Sequence, residues 1–362
     1  MYLTFGEVMM RVAPDGFHRF RQAMPGKVNV TFGGGEVNVA ASLAIFGNQV
    51  RYLTAVPDNP ITHSLICHLR GLGLETETML RRDTGRLGIY FLETGANQRS
   101  SNVIYDREYS AIALAEPAEY DFAAALKQVQ WVHITGITPA LSQAAFESTL
   151  ELVRQAKQNQ ATVSCDLNYR KKLWRWQDGC PPKKLAGQCM SRILPFVDLV
   201  IANEEDAADV LDIHAEGTAV EAGRINAAAY EQVARKITGL FPNVEKVAVT
   251  LRESISASHN NWGGMLFDRQ RDQAWLAPLD EDGGYRPYEI RNIVDRVGGG
   301  DSFAAGLIHA LNSHEFSDPA MAIRFAVAAS CLKHSIMGDF NYTTLPEVKA
   351  LVEGQASGRV RR

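Results

Sequence analysis

The sequence predicts an α/β fold: a mostly parallel sheet covered by helices, with a small β-sheet standing off it as a lid. Three observations carry that prediction. Strand-like apolar runs alternate with helical stretches through most of the 362 residues, the pattern of a parallel sheet joined by crossover helices. Four of the runs finish on polar residues, which in an open α/β sheet gather around a crevice beyond the carboxyl ends of the strands. Two segments, approximately 8–32 and 86–110, break the alternation with short β-like pieces and turn residues. No repeat, low-complexity tract or clear linker divides the chain, so residues 1–362 read as one domain carrying the lid.

With 46% hydrophobic and 22% charged residues, the composition is that of an ordinary soluble protein. A formal charge of -4 leaves no electrostatic footprint for nucleic acid or an acidic membrane surface. Arg170-Lys171-Lys172 and Arg359-Val360-Arg361-Arg362 read as a loop rim and a solvated tail. No apolar run reaches membrane length, and the N-terminus lacks a basic segment followed by an apolar one, so the expected location is the cytoplasm. The five cysteines are widely spaced, include no Cys-x-x-Cys pair and read as reduced thiols.

In chain order, Val8 to Phe32 shows short alternating strands, turns at Pro14-Asp15-Gly16 and Pro25-Gly26, and no obvious helix. Gly33-Gly34-Gly35-Glu36-Val37-Asn38 follows and opens an Ala-rich helix ending at Gly47. As a dinucleotide fingerprint this cluster fails in part, because Asn38 stands where the third glycine belongs. Close approach of a polyhydroxylated ligand to the Gly34 and Gly35 amides and the Asn38 carboxamide is the better use. Gly88 to Tyr105 reads as a hairpin turning near Gly95 to Gln98. Then Trp131 to Ile134 ends at Thr135-Gly136, Thr162 to Cys165 at Asp166 and Asn168, Asp198 to Ala202 at Asn203, and Lys246 to Val249 at Thr250.

Last comes a strand-like stretch, Ile290 to Val294, followed by Asp295-Arg296-Val297-Gly298-Gly299-Gly300-Asp301 and a helical pattern from Ser302 to Leu311 that Asp301 opens. The glycines aim successive amides at one point, where the helix N-terminus adds partial positive charge: a nest for a phosphoryl group. Asp301 would repel phosphate but makes sense as a base acting on an incoming hydroxyl. A glycine turn with an Asp cap is the alternative reading of the same segment.

Gly33 to Gly47 and Asp295 to Gly306 resemble the two signatures of the ribokinase-like, or PfkB, carbohydrate kinases. Val103 to Arg107, Thr135 to Ser142 and Asp166 to Trp174 look like the corresponding stretches of the 2-keto-3-deoxygluconate kinases within that family. The resemblance implies a three-layer α/β/α fold with a β-lid, a homodimer or higher homo-oligomer, and transfer of the γ-phosphoryl group of ATP, with Mg²⁺, to a sugar hydroxyl. By position it implies Asp301 as catalytic base and Gly298, Gly299 and Gly300 as the anion hole. Asn203 to Asp206 resembles the family's Asn-x-x-Glu motif, with Asp206 replacing its glutamate near the metal. Thr250 and Arg252 occupy a nucleotide loop whose usual glycines are missing, and Arg296 and Gly299 stand in place of the broader family's Thr and Ala.

The acceptor can be argued from charge as well. A sugar acid needs a cationic partner, and a guanidinium grips a carboxylate through two parallel hydrogen bonds, so Arg107 and Arg170 are candidates. Tyr90 and Tyr105 supply hydroxyls and an apolar wall, beside Ile137. The expected reaction is phosphorylation of 2-keto-3-deoxygluconate at its terminal hydroxyl, in Entner-Doudoroff-type or uronate catabolism. A fructokinase or a non-catalytic sugar sensor would use the same framework. His133, His259, His309 and His334 read as structural, and so do Trp174 and Trp176. Ala326 to Cys331 is a small-residue helix face against which the family would lay adenine.

Overall fold

A computed structural model describes residues 1–203, 205–215 and 227–355. Glu204 of the acidic motif and the basic tail lie outside the described residues.

The main sheet has ten strands. Its parallel centre runs Lys246–Ser256, Leu199–Ala202, Thr162–Asp166, Trp131–Thr135, Tyr2–Phe5, Val50–Leu53 and Leu74–Glu75. Side chains alternate between its faces: Leu3 and Phe5 join one apolar cluster, while Val50 and Tyr52 join the other. Helices Gln143–Gln158 and Pro182–Ile193 contribute to the first cluster, and Gly35–Ile45, Gly299–Leu311 and Pro319–Lys333 to the second. Burial on both faces produces the apolar runs that read as strands. Among the described residues, no helix is long and apolar enough to cross a membrane.

Strand order reverses between Tyr2–Phe5 and Trp131–Thr135, because the chain builds outward from Tyr2–Phe5 first on one side and then on the other. This switch point opens a crevice at the carboxyl ends. The lid is inserted above it. Met9–Ala13 follows the end of Tyr2–Phe5 and pairs antiparallel with Asn29–Gly33 and parallel with Gly88–Glu93, which pairs antiparallel with Asn102–Asp106. One short helix, Phe20–Ala23, interrupts the first lid segment, where none was expected; the Gln22 side chain accepts from the Arg19 amide and closes that turn.

Three further expectations are corrected. The strand before the glycine turn is Tyr288–Ile290, not Ile290 to Val294: Ile293 and Val294 bond singly to Ser258 O and His334 O, so no ladder forms. The following helix begins at Gly299, two residues before Asp301, with Gly298 as its cap. Thr250 does not end a strand. Lys246–Ser256 continues beyond it as half of a long hairpin with His259–Asp268, in which Thr250 faces Gly264 and Arg252 faces Trp262. Its parallel neighbour stops at Ala202, opposite Val249, so Thr250 still lies level with the crevice.

Candidate active site

At the floor of the crevice Gly298 has φ 81°, and a Cβ there would stand 2.2 Å from the Asp339 carbonyl oxygen. Only glycine allows this turn. The turn presents the first amides of the 13-residue helix Gly299–Leu311, which have no intrahelical acceptors; that of Gly299 reaches Arg296 O at 3.4 Å. Asp301 is the third residue of that helix, and its Oδ2 accepts from Asn38 Nδ2 at 2.7 Å. Burial pushes the Asp301 carboxyl up to about 7, against the Asn38 hydrogen bond, which pulls it down. Cleft water reaches the partly open side chain and moderates the rise.

Every candidate residue named above, from Gly34 through Asp301, lines one cleft of about 470 Å³. Asn38 reaches Asp301 because Gly34 lets the chain pass close to the first strand; a Cβ on Gly34 would lie 2.1 Å from Glu7 O. On the lid side, Tyr90 donates to Asp339 Oδ1 at 2.5 Å. Arg107 is 6% exposed and paired with Glu7 Oε2 at 2.5 Å, its guanidinium 5.4 Å from the Tyr105 ring centre. The expected two-arginine clamp is therefore changed: Glu7 already balances the charge of Arg107. Arg170 is half-buried, its one hydrogen bond among the described residues is from Nη1 to Tyr169 O at 3.0 Å, and it forms no ion pair there, although its charge pulls down the carboxyls of Asp166, Asp206 and Asp301. Ile137 lies near Gly35.

On the opposite side stand Thr250 and Arg252, on a regular strand that needs no glycines. Asn203 Oδ1 accepts from the amides of Glu205 and Asp206 and so starts the helix Asp206–Leu211. The two oxygens of Asp206 accept from Tyr169 N and Asn203 N, each at 3.0 Å. Burial raises the Asp206 carboxyl, and it raises that of Asp166 well above the usual range, with Asp206 and Asp301 adding repulsion. Among the described residues, no group of three or more side chains could hold a metal by itself. A Mg²⁺ ion needs only one or two carboxylates beside substrate phosphates and water, and Asp206, both of whose oxygens accept amides, fits that lesser demand through water.

The residues that sequence reasoning missed lie behind this wall. Arg11 of the lid donates to Asp295 Oδ2 at 2.5 Å and to Asp339 Oδ1 at 3.0 Å, bolting the lid to the glycine turn. Glu36 Oε1 accepts from Thr135 Oγ1 at 2.7 Å and Thr138 Oγ1 at 2.9 Å. Glu36 stood in plain view within the first glycine motif, whereas Asp339 follows a helix with no motif to mark it. Of the four histidines read as structural, three are buried, which lowers His133 to about 3 and His309 and His334 to about 4, while His259 is partly exposed, 3.3 Å from Glu289 Oε1. Trp174 is fully buried, and Trp176 Nε1 donates to Pro139 O.

The chain is 40% identical to the 2-dehydro-3-deoxygluconokinase of Thermotoga maritima, whose crystal structure matches with a TM-score of 0.87 over 98% of this chain and 99% of that one. A PfkB family carbohydrate kinase from Listeria grayi is 32% identical, with a TM-score of 0.83 over 98% and 99% of the two chains. The 2-dehydro-3-deoxygalactonokinase of Haloferax volcanii is 29% identical over 356 residues, 98% of each chain. Residues 2–245 match the model of the pfkB family carbohydrate kinases. With its parallel sheet, its separate lid and a glycine turn ending in Asp301, this chain belongs to the pfkB family carbohydrate kinases.

Proposed function

We propose that the chain transfers the γ-phosphoryl group of ATP, with Mg²⁺, to the terminal hydroxyl of 2-keto-3-deoxygluconate, giving 2-keto-3-deoxy-6-phosphogluconate. The observation that carries the acceptor's identity is Arg170: a half-buried guanidinium, forming no ion pair among the described residues, in the same cleft as Asp301. It is a partner for the acceptor's carboxylate. Arg107, neutralised by Glu7, serves the acceptor's neutral oxygens, with Tyr90 and Tyr105 as the wall. Gly34, Gly35 and Asn38 hold hydroxyls at the other end.

Asp301 takes the proton of the terminal hydroxyl as its oxygen attacks phosphorus and the bond to the ADP oxygen breaks. Asn38 fixes the carboxylate through Oδ2. The amides of the Gly298 to Gly300 turn stabilise charge on the transferred group. Mg²⁺, held by the donor phosphates and through water by Asp206, would balance phosphate charge. Asn203, Thr250 and Arg252 line the donor side. The lid above the switch point keeps the donor from water. Val30 and Ile104, 55% and 53% exposed on the two edge strands of the lid, suit cover by a second copy, and the cytoplasm is the proposed location.

A coupled kinase assay across sugar acids and neutral ketoses tests the reading, with the 4-epimeric keto-deoxygalactonate included because the Haloferax relative is named for it. The highest kcat/KM is expected for a keto-deoxy acid. Faster turnover of fructose would overturn the assignment.

A further inference from the structure

Arg296 stands where the broader family has threonine, and none of the steps above uses it. Its Nη2 donates to Ser256 O at 3.0 Å, Ala257 O at 2.7 Å and Asn260 Oδ1 at 3.3 Å. All three acceptors are neutral. They belong to the tip of the long hairpin, which is tied in turn to the lid loop: Ala257 N donates to Asn97 O at 2.7 Å, and Asn97 N to Ser258 Oγ at 3.2 Å. Arg296 Nε is buried with no hydrogen-bond partner. Burial lowers the affinity of this guanidinium for its proton, the charge of Arg252 lowers it further, and Asp295, which is itself bonded to Arg11, offsets part of both.

A partly buried cation whose hydrogen-bond acceptors are all neutral, with one unused donor and only an Asp295 carboxylate shared with Arg11 beside it, gains from a further anion. Arg252 and Arg296 both line the cleft, and Arg296 lies two residues before the glycine turn. The acceptor's charge has a partner elsewhere, in Arg170 from the loop after Thr162–Asp166. We infer that Arg296 is a donor-phosphate residue, which with Arg252 grips the polyphosphate of the nucleotide above the glycine turn while the hairpin tip holds its guanidinium in place. The inference rests on the ATP-dependent reading. It makes the donor site one that reads phosphate charge, anchored by the same hairpin tip that holds the lid loop.

Calorimetric titration of the wild-type chain and of Arg296→Gln, Arg296→Lys and Arg296→Ala with ADP and with inorganic triphosphate tests it. Gln keeps an amide donor for the Ser256 and Ala257 carbonyls but removes the charge; Lys keeps the charge. Arg296→Gln and Arg296→Ala should lose about tenfold in affinity for both probes, and Arg296→Lys less. The loss should shrink as salt rises, while the acceptor KM stays within about twofold. ADP affinity in Arg296→Gln equal to wild type would make Arg296 a strap for the hairpin only and overturn the inference. An equal rise in acceptor KM would mean general distortion and overturn it too. Those results leave the ATP reading intact, whereas failure of the wild-type chain to bind either probe sinks both. If Arg296→Ala does not fold, the other two variants carry the test.

Discussion

The two sides of the cleft, proposed above to take the acceptor and the donor, are built differently. On the acceptor side three polar side chains are already bonded to partners, Arg107 to Glu7, Tyr90 to Asp339 and Asn38 to Asp301, and Arg170 is the exception. Those bonds fix orientation before a ligand arrives, which is how a site selects among sugars of similar size. The donor side depends on backbone amides at a helix start, on Arg252 of the hairpin and on Arg296, which the hairpin tip holds. Such groups recognise a polyanion with little regard to the rest of its shape. In this reading the acceptor half selects by fixed shape together with the single charge of Arg170, the donor half by charge alone, and the Asp301 carboxylate lines the same cleft as both.

Removing the junction should have the largest effect. Asp301→Asn should lower kcat about a thousandfold or more in steady-state assays. Glu7→Gln breaks the acceptor half without touching the donor half, because it leaves the Arg107 charge buried and uncompensated. Denaturant unfolding should show a loss of about 3 kcal/mol, and the acceptor KM should rise while the nucleotide KM does not. Arg170→Ala should raise KM for the keto-deoxy acid about tenfold and KM for a neutral ketose far less. Equal effects on the two acceptors would remove the carboxylate partner from the account.

The smallest effects follow from pH. If Asp301 is the base proposed above, it acts only without its proton, and kcat/KM should rise with pH through about 7. For stability the sign is the opposite. Folding raises this carboxyl from 3.8 to about 7, so between those values the folded chain holds a proton that the unfolded chain has lost, and stability falls as pH rises. Asp301→Asn removes that penalty. Its gain over wild type should be absent below pH 4 and reach about 1 kcal/mol near pH 8, allowing for the carboxylate's access to cleft water. A gain independent of pH would assign the effect to packing instead.

The alternating runs made the parallel sheet legible, because burial on both faces leaves continuous apolar stretches at each strand. Gly34, Gly298 and Asp301 were legible because a close approach and a helix start each demand a particular residue type. The course of Lys246–Ser256 past Thr250 was not, since its polar second half is held by the facing hairpin strand rather than by its own pattern. The Glu7 and Arg107 pair, one hundred residues apart in sequence, was equally hidden. So were Arg11, Asp295 and Asp339, which join the lid to the glycine turn. Such contacts have no sequence period, and folding alone brings them together.

In the proposed reaction Asp301 takes the proton of a keto-deoxy sugar acid's terminal hydroxyl. Phosphorus NMR of single-turnover mixtures of 2-keto-3-deoxygluconate, ATP and Mg²⁺, with wild-type chain and with Asp301→Asn, tests it most directly when acceptor binding is measured beside it. A 6-phosphoester should form with the wild-type chain and not with the variant, although the variant binds the acid within about threefold of wild type. No phosphoester from the wild-type chain, or one formed by the variant at near the wild-type rate, would contradict the claim.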